Sequence, residues 1–161
     1  MNVETVMTPD PITIRTEETI REAARIIREK KIGGLPVMVG EDLIGMITES
    51  DILALLALKG PSEDLWLPSP LEFIEIPIRE FFNWEQTKEA LSDIGSRPVN
   101  SVMSQPIITI DAEDSIEEAA RIMLREGVAR LPVLKDNRLV GIVTRADIVE
   151  GMGRRHEEES A

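Results

Sequence analysis

Two stretches of the chain carry residues whose types and spacing could do chemistry. Gly45-Met46-Ile47-Thr48-Glu49-Ser50-Asp51 and, 96 residues later, Gly141-Ile142-Val143-Thr144-Arg145-Ala146-Asp147 share one pattern of glycine, two apolar residues, threonine, two variable residues and aspartate. In each, a strand-like run gives way at the threonine to an apolar segment read as a helix. Thr-x-x-Asp ahead of an apolar run is a capping box, in which the hydroxyl accepts from a backbone N–H and the acid reaches back. The same groups could instead serve a ligand. Free N–H groups and the helix dipole make such a junction an anion site. A hydroxyl there can meet phosphate, and a carboxylate one turn later can accept from two vicinal hydroxyls. That is nucleotide chemistry, with phosphate at Thr48 or Thr144 and ribose at Asp51 or Asp147. Gly45 and Gly141 point the same way, since glycine inside a strand often marks the close approach of a ligand or another backbone.

The elements that must position these residues are themselves duplicated. Val6 to Leu53 aligns without a gap on Val102 to Val149, with 20 identities in 48 positions. An ungapped match of this kind implies two copies of one structural unit, related by a pseudo-twofold axis if they pack face to face. In each copy the β-branched run Ile12–Ile14 or Ile108–Ile110 predicts a strand. Ile20, Ala23, Ala24 and Ile27, and likewise Ile116, Ala119, Ala120 and Met123, stand at helical spacing and predict an amphipathic helix. Asp114 is the expected cap of the second such helix, with Glu117 reaching back. Leu35–Val39 and Leu43–Ile47 flank Gly40-Glu41-Asp42, and Leu131–Leu134 and Leu139–Val143 flank residues 135–138. Each pair reads as a β-hairpin. A further helix follows Thr48 or Thr144. The fold class is therefore α+β, two β-α-β-β-α repeats packed pseudo-twofold into one module of two small sheets.

The expected organisation is repeat 1 over residues 1–58, an insert over 59–98, repeat 2 over 99–153 and a polar tail over 154–161. The insert holds all five aromatics, Trp66, Phe73, Phe81, Phe82 and Trp84. A helix from Trp84 to Ile94 is expected there, capped by Asn83, boxed by Gln86 and ended by Gly95. A segment this aromatic reads as a packed lid rather than a tether. The run Ile52–Leu58 is apolar on all sides, so more than one surface must cover it. The other repeat and a second chain are the candidates, and self-association is expected.

A net charge of −12 opposes binding to nucleic acid and anionic lipid, whose recognition draws on clustered Lys and Arg. There is no Cys, which excludes disulfides and thiolate chemistry, and the single histidine, His156, offers no triad or imidazole metal centre. No apolar run is long enough to span a bilayer and the N-terminus lacks a signal-peptide layout. A cytoplasmic protein is expected. An enzyme would have to work with carboxylates such as Glu17, Glu49, Asp51 and Asp147, without a phosphate loop or a metal cluster, and the reading is of a protein that is not an enzyme.

The paired blocks VMTPDPITI, EAARI, LPV and G-x-x-T-x-x-D resemble a tandem pair of cystathionine-β-synthase-type (CBS) domains, also called a Bateman module. The resemblance covers Val6–Leu53 and Val102–Val149. It implies two clefts between the repeats that bind adenosine-containing ligands, AMP, ADP, ATP or S-adenosylmethionine, as regulatory ligands rather than required cofactors. It also implies that Asp51 and Asp147 hold ribose, that Thr48 and Thr144 lie near phosphate, and that the purine sits in an apolar slot. That slot would draw on Ile12, Ile14, Pro36 and Val37 in one copy and Ile108, Ile110, Pro132 and Val133 in the other. Phosphate-gripping members carry basic residues before the Leu-Pro-Val block; Arg130 fits, whereas the first copy has Gly33-Gly34, so the clefts are expected to differ. Arg145 is a further candidate. Screening acts over about 8 Å, so Arg130, Lys135 and Arg138 can outweigh remote acids, and AMP-like or S-adenosyl ligands rank above ATP. The expected partners are an adenosine-containing small molecule, a second copy in a homodimer and a separate target protein. The alternative is a structural or interaction module whose clefts stay empty, with Thr and Asp acting only as caps.

Overall fold

A computed structural model describes residues 1–58 and 92–159. The expected aromatic insert, Trp66 through Trp84 with its Asn83 cap and Gln86, lies outside them, as does the side chain of His156. The first repeat supplies β1 (Thr8–Pro9), β2 (Ile14–Arg15), α1 (Ile20–Lys30), β3 (Gly34–Val39), β4 (Asp42–Thr48) and α2 (Glu49–Leu58). The second supplies β5 (Ile110–Asp111), α3 (Ile116–Glu126), β6 (Arg130–Lys135), β7 (Arg138–Thr144) and α4 (Arg145–Glu159). The fold is α+β with two sheets, ordered β2-β3-β4 and β1-β7-β6-β5. The backbone of the expected tail is helical as far as Glu159.

Each local choice has a physical cause. Thr19 and Ser115, both extended, accept from the N–H groups of Glu22 and Glu118 at 3.2 and 3.1 Å and so start α1 and α3. The expected cap Asp114 stands one residue early; its carboxylate accepts from Asp111 N–H at 3.2 Å and tightens the preceding turn. The apolar stripes face inward, with Ile20, Ala23 and Ile27 buried on α1 and Ile116, Ala119 and Met123 on α3. The hairpins turn tightly. Gly40 has φ 59°, and Asp136 and Asn137 have φ 51° and 64°, the positive pair that a two-residue type I′ turn requires. The strands expected at 12–14 and 108–110 lie later, at Ile14–Arg15 and Ile110–Asp111, because parallel register begins only at Ile14↔Val37 and Ile110↔Val133.

Contacts group the described residues into two compact units. The first takes Met1–Thr16, Leu35–Met46 and the chain from Ser104; the second takes Glu17–Gly34, residues 47–58 and residues 92–103. In the first unit the N-terminal segment belongs to the second repeat's structure. Val3 N–H donates to Asp114 O at 2.8 Å, Glu4 N–H to Ala112 O at 3.0 Å, and Ile116 N–H to Met1 O at 3.2 Å. Fully buried Val3 joins Ile110, Ile116, Met123, Leu131, Val133, Val143 and Ile148 in one apolar cluster. Lys135 Nζ lies 2.9 Å from Glu4 Oε1, and this carboxylate holds the lysine above its ordinary pKa. The chain then crosses β7 as antiparallel β1, with Thr8 opposite Ile142 and Pro9 opposite Gly141.

The second unit mirrors this. Val99 N–H donates to Glu18 O at 2.7 Å and Ile20 N–H to Arg97 O at 2.9 Å, the same bonds displaced by one repeat length. The helical turn at residues 92–96 runs through Gly95 rather than ending there. Gly95 is small for a packing reason: a Cβ would come 3.2 Å from the Arg21 guanidinium, which donates to Ser92 O.

Gly141 is explained by a backbone and not by a ligand. A Cβ at this position would lie 2.3 Å from Met7 Sδ and 3.0 Å from Thr8 O, so the β1 crossing needs glycine. Gly141→Val should lower unfolding free energy by roughly 2–3 kcal/mol through overpacking. Gly153→Ala, with nothing within 4 Å of the added carbon, should be neutral or stabilising by up to about 1 kcal/mol. Urea denaturation of the two variants checks both values.

Candidate functional site

Both Thr-x-x-Asp segments sit where a hairpin's second strand becomes a helix. At the end of β4, Thr48 N–H and Thr48 Oγ1 donate to Asp51 Oδ2 at 2.8 and 2.9 Å, and Asp51 N–H donates to Thr48 Oγ1 at 3.3 Å. At the end of β7, Thr144 N–H and Oγ1 donate to Asp147 Oδ2 at 2.7 and 2.8 Å, and Asp147 N–H returns to Thr144 Oγ1 at 3.3 Å. These are complete capping boxes in two superposable copies.

The first helical N–H is taken as well. Glu49 N–H donates to Gly33 O at 3.1 Å, and Arg145 N–H donates to Ala129 O at 3.2 Å. The helix ends expected to offer free N–H groups to an anion therefore have the donors of residues 48, 49 and 51, or 144, 145 and 147, already engaged. Each threonine hydroxyl has spent its only proton on its aspartate. Within both boxes the aspartate accepts through Oδ2.

Other predicted residues fall into two groups. Arg130 stands opposite Thr144 in the antiparallel register of β6 and β7, half-buried, so it does join the second junction. Arg145 opens α4 and donates from Nη2 to Val128 O at 3.2 Å, two residues before Arg130. Ile14, Pro36, Ile110 and Pro132, expected to line a purine slot, are buried. Ile110 is part of the apolar cluster around Val3, so its side chain serves the core. The more accessible members of the expected slot are Ile12, which is exposed, and Ile108, which is half-buried.

Sequence reasoning missed the residues that hold the junctions from outside. These are Thr8 and Pro9 over β7, and Ser104, whose N–H donates to Met46 O at 2.8 Å on β4. Their signal was the repeated Val-Met block ahead of each repeat's first strand. Among the described residues no group of three or more His, Cys, Asp or Glu side chains could hold a metal ion. No described helix is long and apolar enough to cross a membrane.

A duplicated β-α-β-β-α unit with a capped strand-to-helix junction in each copy defines a tandem-repeat module. The CBS domain family model matches residues 3–58 and 99–154, and the chain belongs to the CBS-domain family as a tandem pair. It is 34% identical over 144 residues to the uncharacterized protein MJ1426 of Methanocaldococcus jannaschii, covering 88% of this chain and 86% of that one. The crystal structure of CBSX2 in complex with AMP superposes with a TM-score of 0.69 at 23% identity, covering 96% of this chain and 98% of the crystallised chain. The CBS pair of protein MJ0100, in complex with 5′-methylthioadenosine and S-adenosylmethionine, gives 0.69 at 24% identity over 96% and 98%. In two further relatives the chain spans only 31% and 23% of the relative's length.

Thr48→Ala and Thr144→Ala should each cost about 1 kcal/mol of unfolding free energy, and Thr→Ser at either position should retain most of it. Equilibrium urea unfolding measures this.

Proposed function

We propose that the chain is a regulatory module that senses an adenosine-containing ligand, with the Asp51 and Asp147 carboxylates accepting from the vicinal hydroxyls of ribose. The observation that carries the reading is the duplicated box. Each aspartate accepts through Oδ2 at a strand-to-helix junction, which fixes the position of its carboxylate in both copies. Support comes from structural relatives of the same fold, CBSX2 in complex with AMP and MJ0100 with 5′-methylthioadenosine and S-adenosylmethionine. For occupancy to regulate anything, the ligand must bind one arrangement of the module better than another. A separate target protein or a dimer mate would read that change.

One observation favours the alternative of a purely structural module: the boxes are internally satisfied and need no ligand to be complete. Asparagine separates the two readings. Its amide oxygen can take the place of Oδ2 in the cap, while its NH₂ replaces the outward acceptor with a donor. At a ligand concentration of a hundred times Kd, wild type should gain about 2.7 kcal/mol of stability. Asp51→Asn and Asp147→Asn should unfold close to wild type without ligand, and at least one should lose the gain. The checks are thermal unfolding and calorimetric titration of ligand-free protein with AMP, ADP, ATP and S-adenosylmethionine, against a guanosine control. No response to any of them leaves the structural module standing.

A homodimer is the assembly this reading uses. On α2, Leu53 and Leu56 are 63% and 38% exposed, and their repeat equivalents on α4, Val149 and Met152, are 69% and 62% exposed. Exposed apolar faces of this kind mark interaction surfaces. Light scattering should give twice the chain mass at micromolar concentration, and Leu53→Glu combined with Val149→Glu should give a folded monomer.

A further inference from the structure

We infer that residues 1–9 form an exchangeable arm: turning on a strained Asp10-Pro11 hinge, the arm of one chain docks in the seat that a second copy presents on β7, α4 and the turn before α3, and that copy's arm docks in return. The inference depends on no ligand, and it uses a surface other than the exposed faces of α2 and α4. The seat is shaped for this segment. Fully buried Val3 fills the apolar cluster, and Val6 and Met7 pack against it. The arm's backbone bonds to Asp114, Ala112 and Ile116, crosses β7 as β1, and ends with Asp10 N–H donating to Val140 O at 3.2 Å. Two glycines make room for it. A Cβ on Gly141 would lie 2.3 Å from Met7 Sδ, and one on Gly151 would lie 2.6 Å from Val6 Cγ1. A seat of this shape reads Val-x-x-Val-Met, and every further copy of the chain carries that segment.

The hinge decides between a chain's own seat and a second copy's, because either arrangement keeps every contact of the arm. Asp10 has φ 48°. That left-handed conformation is uncommon outside glycine, and Pro11 opposes it further, since the residue before a proline is pushed toward extended backbone. The other non-glycine residues with positive φ among the described residues have regular roles, Lys31 ending α1 and Asp136 and Asn137 making the type I′ turn. The matching place in the other copy avoids the strain. There Ile44 O, the counterpart of Val140 O, accepts from the Gln105 side chain at 3.1 Å, and no left-handed residue is needed. The closed turn at Asp10 therefore stores strain that an extended Asp10-Pro11 releases, and short strained hinges of this kind invite exchange. Ile12 and Thr13, which follow, are exposed, so the link to β2 can change course without uncovering the core. Against exchange stands the nearness of the arm to its own seat, an effective concentration of the order of millimolar. Closed chains thus prevail at micromolar concentration, and exchange takes over as the chains are concentrated.

The full chain has no cysteine, so introduced thiols report without background. Thr8 and Ile142 stand opposite each other across β1 and β7. A Thr8→Cys chain and an isotope-labelled Ile142→Cys chain are unfolded in urea, mixed, refolded at roughly millimolar concentration and oxidised with glutathione disulfide, and peptide mapping reads the mixed 8–142 cross-link. Both carry Leu53→Glu and Val149→Glu, which remove the α2 and α4 faces from association and leave arm and seat untouched. The control pair is Thr8→Cys with Arg125→Cys, an exposed position at the far end of α3. The mixed 8–142 cross-link should exceed that of the control pair, and light scattering of the cysteine-free chain refolded in the same way should show a dimer. Asp10→Gly, which adopts positive φ without strain, should lower the exchanged fraction at least about fivefold. Monomer mass throughout, or a mixed cross-link no greater than the control, overturns the exchange; a dimer that Asp10→Gly leaves undiminished overturns the hinge. None of these results bears on the ligand reading, which titration of the closed chain decides separately.

Discussion

The structure depends on a reciprocal loan: the segment ahead of each repeat completes the other repeat. Residues 1–9 bond to the turn before α3 and cross β7, while residues 97–104 bond to the turn before α1 and reach β4. A repeat on its own would have a two-residue first strand and a buried position left open where Val3 or Val99 now sits. Fully burying one valine stabilises by roughly 1.5–3 kcal/mol, and the same contact satisfies backbone groups that would otherwise be stranded. Half a module is therefore not a domain. The duplication survives as a pair because each copy holds part of the other's core.

This exchange also fixes the strand-to-helix junctions. β7 is clamped by β1 close to Gly141, three residues before Thr144, and α4 is tied to the strand entrance through Arg145 N–H and Ala129 O. The aspartate is thus placed by a strand that cannot slip and a helix that cannot fray.

Much of this was legible in the sequence because it is written locally. Helix stripes, hairpin turns and the Thr-x-x-Asp boxes need only neighbours within a few residues, and each formed where periodicity or turn chemistry placed it. Local rules failed where a distant segment intervened. Gly141 read as the close approach of a ligand or of another backbone, and only the distant β1 segment decides for the backbone. Asp114 read as a cap by its type, but Ser115 is the residue with extended backbone at the helix start, and the acid was left to brace the turn. Gly95 read as a helix stop because its contact with Arg21, from a segment more than seventy residues earlier, has no local trace.

The same division explains which positions can differ between the copies. Thr48 and Thr144, Asp51 and Asp147, and Pro36 and Pro132 are identical because the cap and the core leave one solution in both places. Positions 34 and 130, and 49 and 145, flank the same backbone, and the Thr–Asp bonds of the box do not run through their side chains, while Arg145 Nη2 donates to Val128 O at 3.2 Å. There the charge changes from glycine and glutamate in the first copy to two arginines in the second. A scaffold whose hydrogen bonds close internally thus carries different side-chain charges at the rims of two otherwise equal junctions.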